Sequence, residues 1–210
     1  MKPCLAGYLE GRGLSPSTIA LFAEHIRTDE RGNTCFLHED ENGVTGWEAK
    51  NKGFTGFAGG GEKALFMCRV GEARDKGGQR IIITESAIDA MSCYQLHPSD
   101  GIYISIAGGL NKTQPELLRR TLAQYPHARI FIATDNDLPT EQHPKPEGEH
   151  YYEVISKLFP PTATVIRARP PEPYKDWNDR LTGRPRQVKP GHAQNILAAR
   201  SRASELELQH

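Results

Sequence analysis

From residue 80 onwards, four short runs rich in β-branched residues alternate with stretches of helical period, and few folds accept that rhythm. The runs are RIIIT (80–84), IYISI (102–106), RIFIAT (129–134) and ATVIRA (163–168), with helical stretches near 86–96, 114–125 and 147–158. Strands buried on both faces read as near-continuous apolar runs, and parallel neighbours need long crossovers. The pattern therefore predicts βαβ units and a mostly parallel sheet flanked by helices. Four strands with three crossovers make a compact doubly wound α/β domain, expected over residues 77–182.

Ligands of such sheets bind beyond the carboxyl ends of the strands, and here those positions are acidic. Thr84 is followed by Glu85, and Thr134 by Asp135-Asn136-Asp137. If the two strands are neighbours, three carboxylates meet at one sheet edge. They resist joint ionisation unless a cation compensates, and oxygen ligands suit a hard ion such as Mg²⁺, with Mn²⁺ as a substitute. Asp89 and Ser92 follow Glu85 at i+4 and i+7, on one face of the next helix. Each acid also has an ordinary reading: Glu85 and Asp89 complement a helix N-terminus, and Asp-Asn-Asp is common turn composition.

Ahead of this domain, residues 1–76 read as a smaller α+β lobe. A helix is expected from Ser15, with Pro16 in its first turn and Ile19, Phe22 and Ile26 along one stripe. Strand-like stretches then run from residue 33 to 70, broken by the hairpin signal Asn42-Gly43. The Gly59-Gly60-Gly61 run reads as a turn, because Lys63 is followed by Ala64 where a phosphate loop needs a hydroxyl. From Gly183 to residue 210 the chain reads as a basic, partly helical tail with Arg184, Arg186, Lys189, Arg200 and Arg202.

Lys plus Arg and Asp plus Glu each number 26, so no global positive field draws in nucleic acid, and any affinity must be local or metal-borne. There is no apolar run of membrane-span length and no secretory h-region, which makes a cytoplasmic protein the expectation. Cys4, Cys35, Cys68 and Cys93 lack paired spacing. Within Cys35-Phe-Leu-His38, a strand would point the two candidate ligands to opposite faces, so no zinc is expected.

The pattern IIITE, SAI, D and AMS, followed by IFIAT and DND, resembles the TOPRIM domain of bacterial-type primases, topoisomerases, OLD-type nucleases and small ribosomal-RNA maturases. YLEGRGLSPSTIALF is similar to the opening of the primase catalytic core, and DENGVTGWEAKN resembles the segment that follows it. YKDWNDRL is similar to the element that closes the primase acidic site, so the resemblance runs over about residues 5–182. It points to the primase-like proteins of plasmids and mobile elements.

The resemblance implies a TOPRIM-type fold and metal-dependent nucleotidyl transfer on a single-stranded DNA template, in replication or transfer of such an element. Glu85 would bind metal or act as acid or base, Asp135 and Asp137 would be metal ligands, and Asp176 would complete the site. Asn178 stands where primases place a further carboxylate, with Asp179 one residue on. Arg12, Lys50, Lys52, Lys63 and Lys175 are the candidate contacts to template or nucleotide phosphates. The implied partners are single-stranded DNA, nucleoside triphosphates and a helicase or relaxase. The zinc module that precedes bacterial primase cores is absent from the sequence, as is the Lys-Tyr-Leu-Asn stretch of the small lobe. A metal-dependent nuclease and a non-catalytic single-strand-binding module remain the alternatives.

Overall fold

The computed structural model describes residues 1–71, 80–140 and 144–187. Two five-stranded sheets organise the chain. The first is antiparallel throughout and follows chain order: β1 (Lys2–Pro3), β2 (Ile26–Thr28), β3 (Thr34–Asp40), β4 (Gly43–Asn51) and β5 (Phe54–Phe57). Helices α1 (Gly7–Gly11) and α2 (Pro16–Phe22) lie between β1 and β2. Ser15 caps α2 by accepting the Thr18 N–H at 3.2 Å, with Pro16 in the first turn where its missing N–H costs nothing. Gly43, with φ +115°, turns β3 into β4 at the expected hairpin.

The second sheet contains β6 (Phe66–Val70), β7 (Arg80–Thr84), β8 (Gly101–Ser105), β9 (Arg129–Ile132) and β10 (Thr164–Arg167), in the order β10-β9-β7-β8-β6. The four predicted strands are parallel, and β6 joins as an antiparallel edge against β8. Helices α3 (Ala87–Leu96), α4 (Gln114–Ala123) and α5 (Glu147–Ser156) are the crossovers, and α6 (Trp177–Thr182) follows β10. On one face, Ile81, Ile83, Ile102, Ile104, Ile130 and Ile132 pack on Leu118, Leu122 and Ile155 of α4 and α5. On the other, Ile82 and Tyr103 pack with Met91 of α3 and with Leu9, Phe22 and Phe36 of the first lobe. One core therefore fixes the two sheets against each other.

Two readings of the sequence are corrected here. Ile26 is not on the helix: α2 ends at Phe22, a 3-10 turn covers Ala23–His25, and Ile26 opens β2 opposite Phe36. Its spacing reported burial correctly, since Ile26 and Phe22 are both fully buried in one core, but spacing does not say which element delivers the side chain. Phe66–Val70 read as part of the first lobe, and instead hydrogen-bonds to β8 of the second sheet. Its alternation marks a strand without naming a partner, and the open edge of β8 supplied one.

Of the C-terminal tail, residues 183–187 are described, and Lys189, Arg200 and Arg202 lie outside the described residues. Among the described residues no helix is long and apolar enough to cross a membrane.

His38 of β3 is fully buried, with Nδ1 2.9 Å from the Ala64 carbonyl and Nε2 unpartnered. Burial pulls its pKa down from the usual 6.5 to about 4. The unfolded chain takes up a proton that the native state refuses, so His38 removes stability as pH falls from about 6.5 to about 4. The expected loss is about 3 kcal/mol, read from urea unfolding across that range, and His38→Gln should flatten the slope.

Candidate metal centre

The site begins where β7 and β9 end side by side. Ile83 is opposite Ile132, and the Ala133 N–H donates to the Ile83 carbonyl at 2.7 Å, so the residues that follow leave the sheet together. Glu85 folds its Oε1 onto the Asp135 N–H at 3.0 Å. Carboxylate oxygens of Glu85, Asp135 and Asp137 then lie within 4.8 Å of one another, close enough to share one cation.

The loop that carries these acids is pinned from all sides. Thr134 Oγ1 donates to the Gly148 carbonyl at 2.7 Å, and the Gly148 N–H reaches Asp137 Oδ2 at 3.3 Å. A Cβ on Gly148 would sit 2.1 Å from the Asp135 carbonyl oxygen, so only glycine lets α5 come this close. Arg167 donates to the Thr134 and Asp135 carbonyls, each at 3.1 Å. Arg186 donates to the carbonyls of Asn136 and Tyr174. The Asn136 N–H donates to the Lys175 carbonyl at 2.7 Å.

Burial makes the clustered negative charge costly. It pushes Asp135 up to about 9, with Asp89, Glu85 and Asp137 adding repulsion, and Glu85 up to about 7. Lys175 answers part of this charge, its Nζ lying 3.4 Å from both Asp135 Oδ2 and Asp137 Oδ1. Partial burial works against its ammonium, but Asp135 and Asp137 outweigh that and raise its pKa. One half-exposed lysine facing three acids leaves the site short of positive charge. The donor set is all oxygen and rigidly held, which fits Mg²⁺.

A family model described as Toprim-like matches residues 82–181, the stretch that builds this edge. Residues 82–181 form a Toprim-like domain. A second model, a protein family of unknown function (DUF3991), matches residues 7–73. The "65 kDa protein" of Zymomonas mobilis subsp. mobilis is 30% identical over 192 residues; the match covers 86% of this chain and 31% of that protein's length. Among solved structures, the DnaG catalytic core aligns with a TM-score of 0.54 at 14% identity, over 93% of this chain and 71% of that one. The DNA primase domain from Pseudomonas aeruginosa aligns at 0.54 and 13%, over 86% and 68%. The primase fragment of the bacteriophage T7 primase-helicase protein aligns at 0.52 and 22%, over 83% and 69%. The chain has the fold of these primase cores.

The Toprim-like domain and the first lobe enclose a cleft of about 430 Å³. Glu85, Asp135 and Asp176 line one wall, and Arg12, Glu48 and Lys50 line another. Asp176 opens into this cleft but stands outside the three-carboxylate cluster, because its Oδ1 caps α6 by accepting the Asp179 N–H at 2.6 Å. Asp89, 5% exposed, lines the cleft floor and holds α6 in place: its Oδ1 accepts the Asn178 N–H at 3.0 Å. Burial, then Asp176, raises its pKa to about 6.

Asn178 faces inward. Its amide donates to the Arg12 carbonyl at 2.8 Å and to Ser92 Oγ at 3.1 Å, tying α1, α3 and α6 together. A carboxylate there would have no proton to give the Arg12 carbonyl, which is a physical reason for the amide. Ser92 and Asn178 therefore support the fold around the site. Asp179 contributes its backbone to the cap and is not among the residues lining the cleft.

Of the predicted basic contacts, Arg12 and Lys50 line the cleft and Lys175 stands at the acids. Lys63 gives its ammonium to the Gly109 carbonyl, and Lys52 sits exposed in the β4–β5 turn. Gly148, Arg167 and Glu48 escaped the sequence reading, and Arg186, read as part of the basic tail, instead supports the acid loop. A glycine inside a helical stretch and a glutamate two residues from Lys50 on one strand were the available signals.

Proposed function

We propose that this chain carries out primase-like, metal-dependent nucleotidyl transfer on a single-stranded DNA template, in replication or transfer of a plasmid or mobile element. The observation that carries the reading is the meeting of Glu85, Asp135 and Asp137, two of which, Glu85 and Asp135, line a cleft whose other side is the first lobe. The likeness to primase cores supports it, and one of those cores belongs to a primase-helicase protein.

Bound between the three carboxylates, Mg²⁺ would neutralise charge on a triphosphate and lower the barrier to attack by a hydroxyl. The residues of the chain do the rest. Asp135 and Asp137 would hold the ion, Glu85 is fixed for the same task by the Asp135 N–H, and Gly148 and Arg167 keep the loop from yielding. Arg12 offers positive charge to phosphates across the cleft. Lys175 screens Asp135 and Asp137 and, half-exposed beside them, offers a positive charge within reach of a phosphate.

Incubation with single-stranded DNA, labelled nucleoside triphosphates and Mg²⁺ or Mn²⁺ should yield short oligonucleotides. Nicked plasmid DNA without synthesis would transfer the assignment to a nuclease on the same acids. Salt-dependent single-strand binding with neither activity would leave a binding module.

A further inference from the structure

Across the cleft from the acids, β4 presents Glu48 and Lys50 on one face, two residues apart. Lys50 Nζ lies 3.1 Å from Glu48 Oε1. Glu48 Oε2 has no partner, although Glu48 is only 6% exposed and lines the cleft. A buried carboxylate oxygen without a donor is expensive to maintain, and such a group facing a cavity awaits a donor from a ligand. The pair also changes what Lys50 can do. With its charge balanced by Glu48, it is a poor phosphate anchor, and the second carboxylate oxygen repels a phosphate outright. What fits is an uncharged group that carries a proton to give.

Resting on the nucleotidyl-transfer reading, we infer that Glu48 is a specificity-determining residue that accepts a hydrogen bond from a sugar hydroxyl of the incoming nucleotide, with Lys50 holding its other oxygen. The sugar and base of the nucleotide then lie against β4 and its triphosphate extends to the acids and Arg12. Carboxylates read ribose hydroxyls elsewhere for the same reason: two lone pairs on a fixed oxygen suit an O–H donor and reject a phosphate. Thr55, opposite Lys50 on β5 and also lining the cleft, adds a second hydroxyl-bearing wall.

The test is calorimetric titration of the full chain with ATP, 2′-deoxy-ATP and 3′-deoxy-ATP in Mg²⁺. Wild type should bind ATP about tenfold more tightly than one of the two deoxy forms, the worth of one hydrogen bond to a charged group. In Glu48→Met, near-isosteric but without an acceptor, that ratio should fall to about one. Mg²⁺-dependent binding of all three at equal affinity by wild type, a comparison independent of any variant's folding, overturns this inference and leaves nucleotidyl transfer standing. A preference that survives in Glu48→Met overturns it as well. Absence of any Mg²⁺-dependent nucleotide binding overturns both.

Discussion

Asp135→Asn will abolish oligonucleotide synthesis, lowering the rate by at least about 10³-fold, and will weaken Mg²⁺ binding by about 100-fold or more. The same change will make the metal-free protein more resistant to heat. Asp135 is a largely buried acid, its side chain 12% exposed, beside Glu85, Asp89 and Asp137, and desolvation and repulsion disfavour its ionised form. The amide keeps the shape and removes the charge. Synthesis is read from labelled products on a single-stranded template, metal affinity from titration, and stability from thermal unfolding with and without Mg²⁺. Activity and stability moving in opposite directions is the signature of a cation site; if both fall, Asp135 is a structural acid.

Gly148→Ala will fail in a way that helical glycines ordinarily do not. Replacing glycine by alanine inside a helix normally stabilises by up to about 1 kcal/mol. Here the added carbon would lie 2.1 Å from the Asp135 carbonyl oxygen and 2.9 Å from its carbonyl carbon, so either α5 or the acid loop must shift. Overpacking of this kind costs about 1–3 kcal/mol, and a displacement near 1 Å in a catalytic ligand costs about 100-fold in rate. Gly7→Ala, where nothing lies within 4 Å, is the control and should leave the rate unchanged and the stability equal or slightly raised. Thermal unfolding and the synthesis assay on both variants check the contrast; equal behaviour would remove Gly148 from the positioning of Asp135.

Both expectations depend on features that differ in how far the sequence displays them. Glu85, Asp135 and Asp137 were legible because each follows an apolar strand, and strand ends are where parallel sheets keep their ligands. Their mutual distance rests on β7 and β9 being hydrogen-bonded neighbours, an adjacency of strands 49 residues apart in register that no local pattern encodes. Asp176 and Asn178 show the opposite case. Their motif placed them near the site, yet one spends an oxygen on capping α6 and the other turns its amide to Arg12 and Ser92. Side-chain direction at a helix start follows from what the helix packs on, and α6 packs on α3.

Glu48 was the least visible of all. In the sequence it is one charged residue among several in a β hairpin. Only the closing of the first lobe onto the second sheet buries it, leaves one oxygen without a partner and places it on the wall of the cleft that the acids line.

By itself, then, the sequence determined the alternating elements, the parallel sheet and the acids at two strand ends, because hydrophobic period and strand-end chemistry are local properties. The tertiary structure alone decided that β6 closes the second sheet, that Gly148 seats the acid loop, that three carboxylates meet, and that Glu85 and Asp135 share one cleft with Glu48 and Lys50. These are contacts between residues far apart in the chain, and they exist only once one core has locked the two sheets together.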